Sequence, residues 1–333
     1  MTTRSPVADG AVWTRADFPQ PRSWVRPLTP AMQDELVAAA AHARTQGLDP
    51  HGLTPATFPL PLAAPMLAEA RRDLEEGRGF AVVGAFPVDR FEDYRGNLYA
   101  YCGLSSYLGD ITAQTVRGEK SVDVTDKGIP YSHQSRGYSS NKLLPFHTDG
   151  SDRVGLLCLE TAMEGGLSIL VSAPKVYNTI LAERPDLMPM FERGFYHHRR
   201  GEQPAGEGPL SPGRVPVFSF HAGLLHCCYN RNPINWVEKE GIALTAEEKA
   251  ALDYFDSVTA RPEMQLAMEM RKGDVQFVNN FVILHSRTEY TDAPGRKRHL
   301  LRLWLNDMTS RRVGPTLLDL YSPAHARRLA KAG

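Results

Sequence analysis

The sequence predicts a mainly-β protein, an antiparallel sandwich or barrel with helices covering one face of a sheet. Two observations carry that expectation. From residue 154 onward the chain breaks into short apolar runs separated by Gly, Pro or Asn, the pattern of strands and turns. Ahead of them, three helical patterns surround a single apolar run, "FAVVGAF". No internal repeat and no clear linker divides the 333 residues, so one domain over 1–333 is the simplest count.

Residues 1–29 form an irregular, Pro- and aromatic-rich lead-in. "TPAMQDELVAAAAHARTQG" opens a helix with Thr29 as cap and Pro30 in its first turn, and Gly47 ends it. "APMLAEARRDLEEGRG" gives a second helix stopped by Gly77, and "FAVVGAF" a buried strand. "RFEDYRGNLYAYCGLSSYLG" gives a third helix, with Phe91, Tyr94, Leu98 and Tyr101 at helical spacing as a core stripe. The strands then follow as "VGLLCLE", "LSILVSA", "RVPVFSF", "GLLHCCYN", "DVQFVNNFVIL" and "HLLRLWL". Two helical patterns, "APKVYNTILAERPD" and "TAEEKAALDYFDSVTA", interrupt them, and "RRGEQPAGEGPLSPGR" is a long Gly/Pro-rich loop.

Composition removes several function classes. Lys plus Arg and Asp plus Glu are equal at 38 each. No basic field invites nucleic acid, and basic pairs such as Arg199-Arg200 are solvated surface. No run of about eighteen apolar residues spans a membrane. The start "MTTRSPVADGAVW" lacks an apolar core with a cleavage site, so a cytoplasmic, unprocessed protein is expected. Cys102, Cys158, Cys227 and Cys228 form no CxxC and are expected as buried free thiols. Dinucleotide and P-loop glycine patterns, GxSxG and HExxH are all missing.

The chemistry gathers around "FHTD". His147 and Asp149 stand two residues apart, which on an extended chain puts both on one face. Two histidines and a carboxylate on one face suit non-heme Fe(II) and leave positions for a chelating cosubstrate and oxygen. The third ligand must come from a distant strand. His197, His198, His221 and His226 are candidates, and the preferred one is His285, at the end of the apolar run "VNNFVILH". Arg298 and Arg302 lie four apart on a strand, facing away from Leu301, Leu303 and Leu305. A guanidinium facing a barrel interior asks for an anion. The alternative is a solvent-facing basic edge with Arg296, Lys297 and His299.

The ordered set "FHTD", "GGLSILVS", "VNNFVILHSRT" and "RHLLRLWL" resembles the TauD/TfdA-like family of Fe(II)- and 2-oxoglutarate-dependent dioxygenases, within the clavaminate synthase-like superfamily. The resemblance is strong over 140–306 and extends back to "GRGFAVVGAF". It implies a double-stranded β-helix, or jelly roll, with a barrel core at about 78–306 and a helical N-terminal elaboration. It implies Fe(II) on His147, Asp149 and His285, with 2-oxoglutarate and O2 as cosubstrates. It implies that Arg298, thirteen residues after His285, grips the distal carboxylate of 2-oxoglutarate, helped by Ser168, and that Arg302 touches the cosubstrate or an anionic group of the substrate. Asn280 matches an asparagine that precedes the distal ligand and stands behind the ligands or in the pocket. The implied activity is hydroxylation of an aliphatic C–H with release of succinate and CO2. The retained Asp149 carboxylate argues against halogenation.

A small carboxylate-bearing or amino-acid-like metabolite is the expected substrate. Desaturation or cyclisation of a natural-product intermediate and a non-catalytic jelly-roll binding module are the alternatives. Loops at the mouth set substrate choice. Those here, "DKGIPYSHQSRGYSSNK" and "FYHHRRGEQPAGEGP", are long. Candidate contacts are His133, Gln134, Arg136, Tyr138, Tyr229, Asn230 and Arg231, with Asn280 behind them. No nucleic-acid or membrane partner is expected, and the sequence carries no reading of oligomeric state.

Overall fold

A computed structural model of the chain describes residues 4–129, 137–203 and 205–307. The lead-in is more structured than its sequence suggests. Trp13 and Trp24 are buried against Phe80 and Val82, and β1 (Val25–Pro27) pairs in parallel with β2 (Phe80–Gly84). Between them run α1 (Pro30–Thr45) and α2 (Ala64–Glu75). Thr29 caps α1 by accepting from the Met32 N–H, the job its sequence position predicts.

Next, α3 (Tyr94–Ser105) begins later than the aromatic spacing indicates, because the Asp93 carboxylate accepts from Gly96 N–H and fixes the N-terminus there. Phe91 therefore lies outside the helix and Tyr94 is exposed, while Tyr99 and Tyr101 are buried. Short strands β3 (Asp110–Thr112), β4 (Ser121–Val124) and β5 (Leu144–His147) lead into β6 (Arg153–Glu160). Then follow β7 (Glu164–Gly165), β8 (Ser168–Ser172), α4 (Ala173–Glu183) and α5 (Met188–Arg193). A hairpin of β9 (Phe218–His221) and β10 (Leu224–Cys227) precedes α6 (Arg231–Asn235) and α7 (Ala246–Thr259). The chain closes with β11 (Leu266–Met268), β12 (Val275–Asn279), β13 (Ile283–Arg287), β14 (Tyr290–Thr291) and β15 (His299–Asn306).

Two sheets make the body. The larger has the order β1-β2-β12-β6-β15-β3, with β4 also on β15; the smaller runs β11-β8-β13-β5. Among the described residues they are separate sheets, so the jelly roll is a two-sheet sandwich rather than a closed barrel. Both faces of the larger sheet are covered, which is why its strands read as near-continuous apolar runs. Ala81, Val83, Leu157, Phe277, Leu301 and Leu303 face α1–α3. Phe80, Val82, Val154, Val278 and Trp304 face Leu170, Leu266 and Ile283 of the smaller sheet. The helix layer sits so close that a Cβ at Gly155 of β6 would lie 2.6 Å from the Tyr101 hydroxyl. Behind the smaller sheet, Val171 and Leu284 join α4, α5 and α7 in a second core.

One expected strand divides. "DVQFVNNFVIL" is not continuous: β12 lies in the larger sheet and β13 in the smaller. Asn279 makes the crossing, its Oδ1 accepting from Phe281 N–H and its Nδ2 donating to the Leu74 carbonyl. The four cysteines are free, and three are buried. No helix among the described residues is long and apolar enough to cross a membrane.

Candidate active site

The crossing from β12 to β13 puts His285 in the smaller sheet, where it pairs directly with His147 of β5. The two rings are 4.3 Å apart between centroids. His285 is the third residue of β13 rather than its end. The apolar run stops there because alternate residues now face the interior between the sheets. Asp149, two residues past His147, turns its carboxylate toward both imidazoles, 3.9 Å from each Nε2. One potential ligand atom from each of the three lies within 4.8 Å of the others.

Each ligand candidate is held from behind. His147 Nδ1 donates to the Pro145 carbonyl at 2.8 Å, which leaves Nε2 as the acceptor facing the cluster. Asp149 Oδ2 accepts from Trp304 Nε1 at 3.1 Å and from Arg302 Nη1 at 3.3 Å. Arg302 is in turn oriented by Gln114, whose Oε1 accepts from its Nε at 2.7 Å. The Asp149 N–H donates to Asn280 Oδ1, and Asn280 Nδ2 donates to the Ser151 carbonyl. Asn280 thus clamps the turn that carries Asp149. The segment 229–230 supports the other side: Thr148 N–H donates to the Tyr229 carbonyl, and Asn230 bridges His147.

The charge states suit a metal. Burial alone would raise the Asp149 carboxyl, but the Arg302 guanidinium, the two imidazoles and the Trp304 N–H outweigh it, holding it well below the usual carboxylate range. Burial lowers His147, and burial with the neighbouring imidazole pushes His285 down to about 3. Two neutral imidazoles and one carboxylate are the donor set that non-heme Fe(II) takes.

A second polar centre is built on Arg298, which directly precedes β15, the strand that carries Arg302 and Trp304. Arg298 is 4% exposed and has no carboxylate partner among the described residues. Its Nη2 donates weakly to the Gly166 carbonyl at 3.4 Å and its Nη1 is buried without a hydrogen bond. A buried guanidinium in this condition fits an acidic ligand. Ser168 is buried nearby on β8, its Oγ donating to Gln276 Oε1 at 2.8 Å. The solvent-facing alternative fails for Arg298 and Arg302, which are both buried, while His299 turns outward to Asp123.

Other expected contacts are placed elsewhere. Tyr229 is fully buried in the second core, stacked near Phe255 with its hydroxyl donating to Asp256. Arg231 pairs with Asp253 and Asp256. Asn230 caps α6 through its Oδ1. The 229–230 backbone meets the His147–Thr148 segment, while the Tyr229 and Arg231 side chains are engaged with α7, which corrects the expectation that those two enter the pocket. His198 pairs with Glu240, His226 packs on Phe281, and neither these nor His197 and His221 belong to the cluster. His133, Gln134, Arg136 and the Tyr138 side chain lie outside the described residues. Sequence reasoning missed Trp304, Gln114 and Arg287. Strand parity carried a signal for two of them: Trp304 shares a face with Arg302, and Arg287 with His285.

Comparison with known proteins identifies the family and the fold. The profile of the "Taurine catabolism dioxygenase TauD, TfdA family" matches residues 44–304. "FR-33289 synthase" of Streptomyces rubellomurinus is 34% identical over 327 residues, covering 96% of this chain and 95% of the relative. Among solved structures, asparagine oxygenase in complex with Fe(II), 3-hydroxyasparagine and succinate superposes with a TM-score of 0.66 at 18% identity. That match covers 85% of this chain and 94% of the other. The non-heme iron oxygenase OrfP, in complex with Fe and alpha-ketoglutaric acid, gives 0.62 at 15% identity with the same coverage. With a jelly-roll sandwich, a His-Asp-His cluster and a family match over most of its length, the chain belongs to the TauD/TfdA family and is a 2-oxoglutarate-dependent non-heme iron dioxygenase.

Proposed function

We propose that the chain, acting as one dioxygenase domain, hydroxylates an aliphatic C–H of a small carboxylate-bearing or amino-acid-like metabolite. In balance, R–H, O2 and 2-oxoglutarate give R–OH, succinate and CO2. The observation that carries this reading is the His147, Asp149 and His285 cluster, set beside the buried, incompletely bonded Arg298. The substrate class draws support from the asparagine oxygenase complex, which contains a hydroxylated amino acid.

In this reading His147, Asp149 and His285 hold Fe(II) on one face. Bound iron and 2-oxoglutarate supply oxygen activation coupled to decarboxylation of the 2-oxo acid. The protein's part is placement. Arg298 binds the distal carboxylate of 2-oxoglutarate, with Ser168 beside it. Arg302, assigned by resemblance to cosubstrate or substrate, acts chiefly on Asp149, its contact in this structure. Arg302 and Trp304 keep that carboxylate ionised and aimed, and Asn280 fixes its backbone. The apolar interior around Val154, Phe281 and Ile283 excludes water from the reacting groups.

The test is an anaerobic titration of metal-free protein with Fe(II) and then 2-oxoglutarate, followed in visible absorption. A charge-transfer band that is lost in His285→Ala is expected. A folded protein with no band and no iron affinity refutes the reading. Amino acids and related carboxylates are then screened for coupled succinate release.

A further inference from the structure

Two residues after His285, and on the same face of β13, stands Arg287. It is 6% exposed and has no carboxylate partner among the described residues. Its Nη2 donates to the carbonyls of Ser140 and Lys142, while Nε and Nη1 are buried without hydrogen bonds. It sits directly opposite Ser168 in the β8–β13 ladder. Its Cζ lies 4.8 Å from the centroid of the Tyr290 ring, and Arg298 Cζ lies 5.0 Å from the same centroid. The Tyr290 hydroxyl is also buried and without a hydrogen bond. Three sets of unsatisfied donors thus meet at one ring, at the start of β8.

Two buried like charges sharing a neighbour repel, and unmatched buried N–H groups are costly. The Ser140 and Lys142 carbonyls satisfy only one nitrogen of Arg287, so pinning the 137–142 segment accounts for part of this guanidinium. An anion between the two arginines answers both deficits. We infer that Arg287, held with Arg298 by the Tyr290 ring, is a second cationic contact for the distal carboxylate of the 2-oxo acid and selects a dicarboxylate cosubstrate. The inference rests on the dioxygenase reading above and adds a residue to it. A pocket with two cations is matched by a full negative charge at the far end of the cosubstrate, which a monocarboxylate 2-oxo acid lacks.

The test is equilibrium binding, by anaerobic calorimetry on Fe(II)-loaded protein, of 2-oxoglutarate and of 2-oxobutanoate, which lacks the distal carboxylate. Arg287→Gln is expected to raise the 2-oxoglutarate Kd about ten- to a hundredfold, the range for a lost charge-assisted hydrogen bond. The 2-oxobutanoate Kd should stay unchanged. Arg287→Lys keeps the charge without the fork and should lose several-fold on 2-oxoglutarate alone; it also serves if the Gln variant does not fold. A purely structural arginine would lower the melting temperature and leave the ratio of the two Kd values where it was, and that result overturns the inference. If Arg298→Ala weakens 2-oxoglutarate while Arg287→Gln and Arg287→Lys do not, only the Arg287 assignment falls. If the wild type binds neither 2-oxo acid, the dioxygenase reading falls with it.

Discussion

Trp304→Phe isolates one hydrogen bond at the candidate metal centre. The indole N–H donates to Asp149 Oδ2 at 3.1 Å, and phenylalanine keeps most of the ring while removing that donor. The Arg302 contact to the same oxygen is longer, at 3.3 Å, and does not replace it. A hydrogen bond to a charged group contributes roughly 1.5–3 kcal/mol. At about 1.4 kcal/mol per tenfold, that corresponds to a loss of about ten- to a hundredfold in the fraction of correctly aimed carboxylate. Loss of a partner behind a metal ligand typically costs about the same in metal affinity. The expected result is therefore an Fe(II) Kd raised by roughly ten- to a hundredfold. The fold should survive, because Trp304 lies between the sheets among large apolar neighbours that a phenyl ring still meets. Calorimetric titration of the metal-free variant with Fe(II) under argon, beside a thermal melt, measures both. A metal affinity within about threefold of wild type in a folded variant would refute the idea that Trp304 aims Asp149, leaving Arg302 and Asn280 as its supports.

Two further substitutions test the surroundings. Gly166 has φ +71°, and a Cβ there would lie 2.9 Å from Arg298 Nε. Gly166→Ala should displace the guanidinium, raise the 2-oxoglutarate Kd about tenfold or more and leave Fe(II) affinity unchanged; parallel loss of both would show a general collapse. Asp152 is buried, and that burial pushes its carboxyl up to about 7, against the smaller opposing effects of the Asp307 N–H and Arg153. The folded state then holds a proton that the unfolded chain has released, so stability falls as pH rises from about 4 to about 7 and is level above. The upper limit is about 1.4 kcal/mol per pH unit. Asp152→Asn should remove this slope, so that chemical denaturation of variant and wild type diverges between pH 5 and about 7; parallel curves would refute the assignment.

The candidate ligands were legible because metal chemistry restricts residue type. "FHTD" narrows the first two; spacing alone leaves several histidines for the third, the family resemblance selects His285, and the β5–β13 pairing sets it opposite His147. Long elements were legible for a similar reason: α1, α7 and β15 repeat a period over enough residues to register. Strands of three or four residues, such as β3 and β5, carry no period at all. "DVQFVNNFVIL" looked continuous because both of its halves are apolar on both faces, and only the Asn pair marks the change of sheet. Tyr229 and Arg231 were not legible because a place just after a strand does not fix side-chain direction. The backbone at 229–230 meets the His147 segment, while the Tyr229 and Arg231 side chains turn toward α7.

The division of labour between the sheets explains why the supporting residues are harder to see than the ligands. Both histidines come from the smaller sheet, and their separation is fixed by one ladder. Asp149 lies past the end of β5, beyond that ladder, and its carboxylate is aimed by Arg302 and Trp304 of the larger sheet. Asn280, in the crossing between the sheets, ties the Asp149 backbone to the Ser151 carbonyl. Of the three candidate ligands, the carboxylate is thus the one whose position depends on how the two sheets close on each other. Arg298, just before β15 of the larger sheet, and Ser168, on β8 of the smaller, are divided between the sheets in the same way. A chain carrying every ligand but packing its sheets loosely would keep the histidine pair and lose the aim of the carboxylate. The apolar contacts of Phe80, Val278 and Trp304 with Leu170 and Ile283 therefore hold the candidate metal centre in shape as well as the fold.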